Sequence, residues 1–155
     1  MEESVKHFSQ EPQDLQKIMT AFSLESRDYR SLNALTLAYI GDCVFDLIIR
    51  TVVVFRNHKQ VNDLHKKTTG FVKAETQAEL MQILLDMEIL TEEEKAVYKR
   101  GRNTKSHSVA KNASVAAYRK ATGFEAMLGY LYLTGQMDRI LELTKTVIDA
   151  SEMNL

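Results

Sequence analysis

One stretch constrains this chain more than any other: Ala34-Leu-Thr-Leu-Ala-Tyr-Ile-Gly-Asp-Cys-Val-Phe-Asp-Leu-Ile-Ile-Arg50. It is apolar on nearly every side, as a helix inside a domain is. Yet Gly41 and Asp42 sit together at its middle, and Asp46 follows one helical turn later. A mid-helix glycine costs about 1 kcal/mol relative to alanine, and a buried carboxylate costs more unless it is paired or bound to metal. Something must offset both, and the pattern points to Asp42 as the holder of a divalent cation.

Around this stretch the chain reads as all-α. One proline and six glycines in 155 residues leave few breaks for turns. Pro12 can open a short amphipathic helix carrying Leu15, Ile18, Met19 and Phe22. Leu24 to Arg30 is a charged connection, and Ser31 or Asn33 can cap the long helix, which is predicted to reach about Phe55. Val61, Leu64 and His65 lead the next segment, with a break predicted near Gly70, and Phe71 to Leu85 resumes the helical spacing. Thr91 and Glu94 form a capping box. Its helix carries Ala96 and Val97 inward and is predicted to end at Gly101 in a left-handed cap. Arg102 to Lys111 reads as an exposed loop. A helix from Ala113, interrupted around Thr122-Gly123, ends at Gly135. The last helix covers Met137 to Ala150 and turns Ile140, Leu141, Leu143, Thr144, Val147 and Ile148 inward. Residues 1–30 read as an extension, 31–150 as one domain and 151–155 as a tail.

The single cysteine, Cys43, excludes an internal disulfide and reads as a small buried hydrophobe in a reducing compartment. Neither a secretory leader nor a membrane span is expected, which places the protein in the cytoplasm. The net charge of −1 speaks against a nucleic-acid partner only if charge is evenly spread, and it is not. From Lys95 to Lys120 there are eight Lys or Arg and no Asp or Glu. Such asymmetry is either a solvated basic face or the footprint of an anionic partner.

Glu125 is the second carboxylate inside an apolar helical pattern, again with a glycine two residues before it. Two half-buried carboxylates from different helices suit Mg²⁺, which keeps several waters and is completed by substrate phosphates. An ion pair with Lys or Arg is the bland alternative. His65 reads as a partly buried packing residue, and no Cys or His cluster suggests zinc.

Leu37-Ala-Tyr-Ile-Gly-Asp-Cys-Val-Phe-Asp46 resembles the signature helix of ribonuclease III, and Gly123-Phe-Glu-Ala126 resembles that family's second acidic motif. Asn62-Asp-Leu-His-Lys-Lys67, Lys99-Arg-Gly-Arg-Asn-Thr-Lys105 and Tyr118-Arg-Lys-Ala-Thr-Gly-Phe-Glu125 extend the likeness, which covers about residues 31–150 and is closer to the short form, mini-ribonuclease III. The resemblance implies an all-helical, dimeric, Mg²⁺-dependent endonuclease acting on double-stranded RNA, with a precursor of large ribosomal RNA as its substrate. It leaves open assistance from a ribosomal protein. By the same resemblance Asp42 and Glu125 are catalytic metal ligands. Ala38 and Thr122 stand where the full-length family carries two further carboxylates; the short form shares the alanine. Asp46 either assists through a water or pairs with Arg50, and Glu75 either supports metal-bound water or forms an ion pair at the core edge.

With no double-stranded-RNA-binding domain expected after residue 155, RNA affinity falls to the basic stretch. Arg100, Arg102, Asn103, Lys105, Lys111 and Arg119 are its candidate RNA contacts, and His107 either joins them or faces solvent. Val44, Phe45 and Ile48 exceed what one small core needs and could supply a dimer interface. The rival reading is a module of the same fold that binds RNA, or helps assemble ribosomes, without cutting.

Overall fold

The computed structural model describes residues 13–57, 59–104 and 114–155, and within them every regular element is helical. Seven α-helices follow in order: α1 (Asp14–Ala21), α2 (Ala34–Arg56), α3 (Val61–Val72), α4 (Ala74–Asp86), α5 (Glu92–Asn103), α6 (Val115–Leu133) and α7 (Met137–Ala150). A single 3₁₀ turn, Tyr29–Ser31, leads into α2.

Helix α6 is the axis. Ala121 to Leu131 is buried at every position but Glu125, because α2, α4, α5 and α7 all pack against it. Helix α2 contributes Leu37, Ala38, Gly41, Val44, Phe45, Ile49 and Val53 to the core, at the i, i+3, i+4, i+7 spacing of one helical face. Phe45 meets Phe124 edge to face at 5.2 Å between ring centres. The opposite face of α2 is uncovered and mixed: Asp42, Asp46 and Arg50 share it with apolar residues, of which Tyr39 is 82% exposed and Leu47 63%.

The capping chemistry accounts for most boundaries. Asn33, not Ser31, caps α2, accepting from the Thr36 backbone N–H at 2.8 Å. Thr91 and Glu94 close the capping box of α5. Gly135, at φ +73°, follows the end of α6.

Four boundaries differ from the sequence reading. The break predicted near Gly70 falls at Lys73, whose extended backbone serves α3 and α4 as a common cap. There the Thr76 hydroxyl donates to the Gly70 carbonyl at 2.7 Å and the Gln77 amide to the Val72 carbonyl at 2.9 Å, satisfying carbonyls that a helix end leaves open. No interruption occurs at Thr122-Gly123, where α6 runs straight through under burial on all sides. Gly101 is helical and buried, so α5 continues through Arg102 and Asn103; its lack of a side chain serves packing against Gly123 and Ala126. Helix α1 opens at Asp14, and Pro12 lies outside the described residues. Two side chains also turn outward instead of inward: Ala96 is exposed, and Leu141 is 46% exposed.

Candidate active site

The glycine that looked costly in α2 is where α2 crosses α6. A Cβ on Gly41 would lie 1.7 Å from the Glu125 backbone oxygen, and one on Gly129 would lie 1.9 Å from the Leu37 backbone oxygen. Each helix is notched opposite the other's backbone, so the axes approach more closely than any side chain permits. The residue after the first notch is Asp42, and the residue facing that notch is Glu125. Close backbone approach therefore delivers the two carboxylates to one place.

That place is a hollow of about 540 Å³ between α2 and the first half of α6, lined by Asp42, Asp46 and Glu125 with Leu35, Tyr39, Cys43 and Tyr118 among its walls. Ala38 and Thr122 line it too. A larger hollow of about 850 Å³ lies between α1 and the start of α2, but its walls hold no pair of carboxylates.

The electrostatics are those of an incomplete cation site. Burial, and then the neighbouring Asp46, pushes the Asp42 carboxyl above its ordinary range. Burial pushes Glu125 up to about 8, and the Asp42 carboxylate adds to the rise; a hydrogen bond from the Gln77 side chain works the other way. Two acids that resist ionising beside each other are relieved by a shared divalent cation. The oxygen-only pair suits Mg²⁺. Among the described residues no group of three or more His, Cys, Asp or Glu converges. The protein thus offers two carboxylates, and waters or phosphates would complete the sphere.

Asp46 is committed elsewhere: its Oδ2 accepts from the Arg50 Nε at 2.9 Å. Glu75 is not brought to the hollow; it lines a separate depression on α4 with Gln82 and Lys120. Cys43 is exposed at the site, not buried, because it lies on the uncovered face of α2. His65 is exposed as well, pointing away from the face that α3 packs on α2.

The basic stretch divides. Arg100 is half-buried and its Nη2 donates to the Leu32 carbonyl at 2.6 Å, tying the segment before α2 to α5. The Arg102 guanidinium lies over the Tyr98 ring, 5.5 Å from its centre. Asn103 is exposed at the end of α5, and Arg119 is exposed on the first turns of α6, next to Tyr118 of the hollow. Lys105, His107 and Lys111 lie outside the described residues. Gln77, which the sequence reading passed over, is the missed neighbour of Glu125. Its signal was present: it heads the buried stripe of Leu80, Met81 and Leu84 as the one amide in an apolar row.

The ribonuclease III domain model matches residues 35–136. A mini-ribonuclease 3 from Enterococcus faecalis is 53% identical over 117 residues, covering 76% of this chain and 89% of that protein. Another from Clostridium tetani is 45% identical over 139 residues, covering 89% and 91%. A crystal structure of a protein from Fusobacterium nucleatum superposes with a TM-score of 0.71 at 28% identity, covering 81% of this chain and 99% of that one. The all-α fold, the motif order and these relatives agree: the chain belongs to the ribonuclease III family, whose activity is endonucleolytic hydrolysis of RNA.

Proposed function

We propose that the protein cuts double-stranded or structured RNA by Mg²⁺-dependent phosphodiester hydrolysis, with a precursor of large-subunit ribosomal RNA as substrate. The observation that carries this reading is the convergence of Asp42 and Glu125 on one hollow at a glycine-notched helix crossing. Residues 31–150 form the catalytic unit, and 1–30 are an extension of it.

Asp42 and Glu125 would hold the cation. When bound, it supplies a water activated for attack on phosphorus and neutralises charge on the phosphate and the leaving oxygen. The chain's own part is to fix those two carboxyl groups on rigid helices, with Glu125 holding its proton until a cation takes that place. Leu35, Tyr39 and Ile40 supply apolar walls to the hollow. Arg119, open beside Tyr118, is placed to meet backbone phosphate, and Arg102 and Asn103 extend that contact along the end of α5.

A homodimer fits the outward face of α2. Val44 and Phe45 belong to the monomer core and are not available to a partner, whereas Ile48 is half-buried; Leu35, Tyr39, Leu47, Val54 and Phe55 are the exposed large apolar residues of α2. Tyr39 also lines the hollow, so a partner there would sit beside the site. No helix among the described residues is long and apolar enough to cross a membrane, in keeping with work on ribosomal RNA in the cytoplasm, where a ribosomal protein could present the substrate. The rival, an RNA-binding module without catalysis, draws on Ala38 and Thr122 in the hollow wall.

The test is cleavage of double-stranded RNA over a range of Mg²⁺ by wild type, Asp42→Asn and Glu125→Gln. Loss of about 10³-fold in rate in both variants, with RNA binding kept, is the expected result. A wild type that binds every RNA tried and cuts none would leave the rival standing.

A further inference from the structure

The hollow between α2 and α6 is poor in ligands for its size. In about 540 Å³ it offers a cation the carboxyl groups of Asp42 and Glu125, while Asp46 is held by Arg50 at 2.9 Å. About one turn before each ligand a small residue lines the same hollow: Ala38, four positions before Asp42, and Thr122, three before Glu125. Both are buried, at 5% and 8% exposure. Ala38 has no side-chain donor atom, and the Thr122 hydroxyl donates to the Tyr118 carbonyl at 3.0 Å. Neither brings charge to a cation.

Among the described residues, the wall of the hollow also carries no Lys, Arg or His. Acidic walls without a cationic lining attract a metal ion and repel an RNA phosphate. Mg²⁺ in turn needs an octahedral shell of oxygens, of which two carboxylates fill only a part. Each guest is therefore poorly held without the other. The cation removes the repulsion that keeps phosphate out, and the phosphate supplies the charged oxygen that Ala38 and Thr122 lack. Arg119 is exposed and follows Tyr118 of the wall, but it does not line the hollow. It can draw RNA near without taking the place of the cation.

We propose that the cation and the RNA load together, and that Ala38 and Thr122 are the positions that make them do so. The protein alone holds the ion weakly, and a backbone phosphate completes its shell. By reciprocity, the factor by which RNA tightens the ion is the factor by which the ion tightens RNA. A carboxylate at either small position would share a helix face with a metal ligand. It would relieve the dependence on RNA, because ligand charge is among the quantities that set affinity at oxygen sites. This inference rests on the metal role proposed for Asp42 and Glu125.

The experiment uses full-length wild type, Thr122→Asp, Ala38→Asp, and Thr122→Asp combined with Asp42→Asn. Mn²⁺ binding without RNA is read by electron paramagnetic resonance of the free ion. Cleavage of double-stranded RNA is titrated with Mg²⁺ at RNA concentrations well below and well above saturation, and Tm without metal checks folding. In wild type the half-saturating Mg²⁺ is expected to fall about tenfold from the low to the high RNA concentration. Thr122→Asp and Ala38→Asp should each bind Mn²⁺ about tenfold more tightly than wild type, and their half-saturating Mg²⁺ should depend less on RNA. A wild type whose Mg²⁺ requirement ignores RNA overturns the proposal, and so do folded aspartate variants with no gain in Mn²⁺ binding. If neither variant folds, the wild-type titration decides. Loss of the gained Mn²⁺ binding when Asp42→Asn joins Thr122→Asp is the expected result. Binding kept in that double variant would place the ion elsewhere and remove the metal reading beneath this inference.

Discussion

The carboxylate crossing and the basic edge serve the same substrate by opposite means. At the crossing of α2 and α6, position is fixed by backbone: Gly41 and Gly129 admit the opposing helix at distances no side chain allows. At the edge running from α5 to the start of α6, each cation has its own arrangement. Arg100 is tied to a carbonyl, Arg102 lies over Tyr98 and Arg119 stands open to solvent. The crossing is all or nothing, whereas the edge is a sum of separable contributions. Chemistry at a cation needs carboxylates held closely in place, while attraction to a phosphate backbone needs charge within a Debye length.

The largest expected effect is at the crossing. Gly41→Ala must push α2 off α6 and should destabilise the fold by about 3 kcal/mol, seen as a lower urea midpoint together with lost cleavage. Gly70 in α3 has open space around it, so Gly70→Ala should leave cleavage alone and raise stability by about 0.5–1 kcal/mol. Equal behaviour of the two would show that the crossing does not depend on its glycine notch.

Next comes pH. Glu125 is held at about 8 in the fold against 4.5 for the free group. The folded state therefore keeps its proton while the unfolded state loses it, and stability falls as pH rises through that window, by an amount on the order of a few kcal/mol. Metal-free protein should melt lower at pH 8 than at pH 5. Glu125→Gln should flatten that slope and added Mg²⁺ should reverse it. A slope unchanged in the variant would show that the carboxylate pair is not its source.

At the edge the effects shrink and separate. Arg119→Gln should weaken RNA binding severalfold and reduce the slope of log affinity against log salt by about 1. Arg100→Gln should lower stability by about 1 kcal/mol, through the lost bond to the Leu32 carbonyl, and leave the salt slope alone. A salt slope that falls equally in both would return Arg100 to the RNA contacts.

Much of this was legible in the residues. The helices announce themselves by apolar spacing, the α5 start by Thr91 and Glu94, and the two site acids by standing in apolar rows. Other features were not legible for a common reason. Helix α2 carries apolar residues on both faces, so apolarity alone does not say that Phe45 is buried while Tyr39 and Cys43 are exposed. Gly101 could cap a helix or notch one, and only the neighbouring Gly123 and Ala126 decide. Arg100 and Arg119 look alike in a basic run until a carbonyl is found beside one of them.

The sequence by itself determined an all-helical chain with two misplaced carboxylates and a lopsided basic stretch, because periodicity and composition are local properties. Only the tertiary structure decided that Gly41 and Gly129 notch the same crossing and that Asp42 and Glu125 share one hollow. Those facts depend on which backbones approach one another across more than eighty residues of chain. No local pattern records that distance.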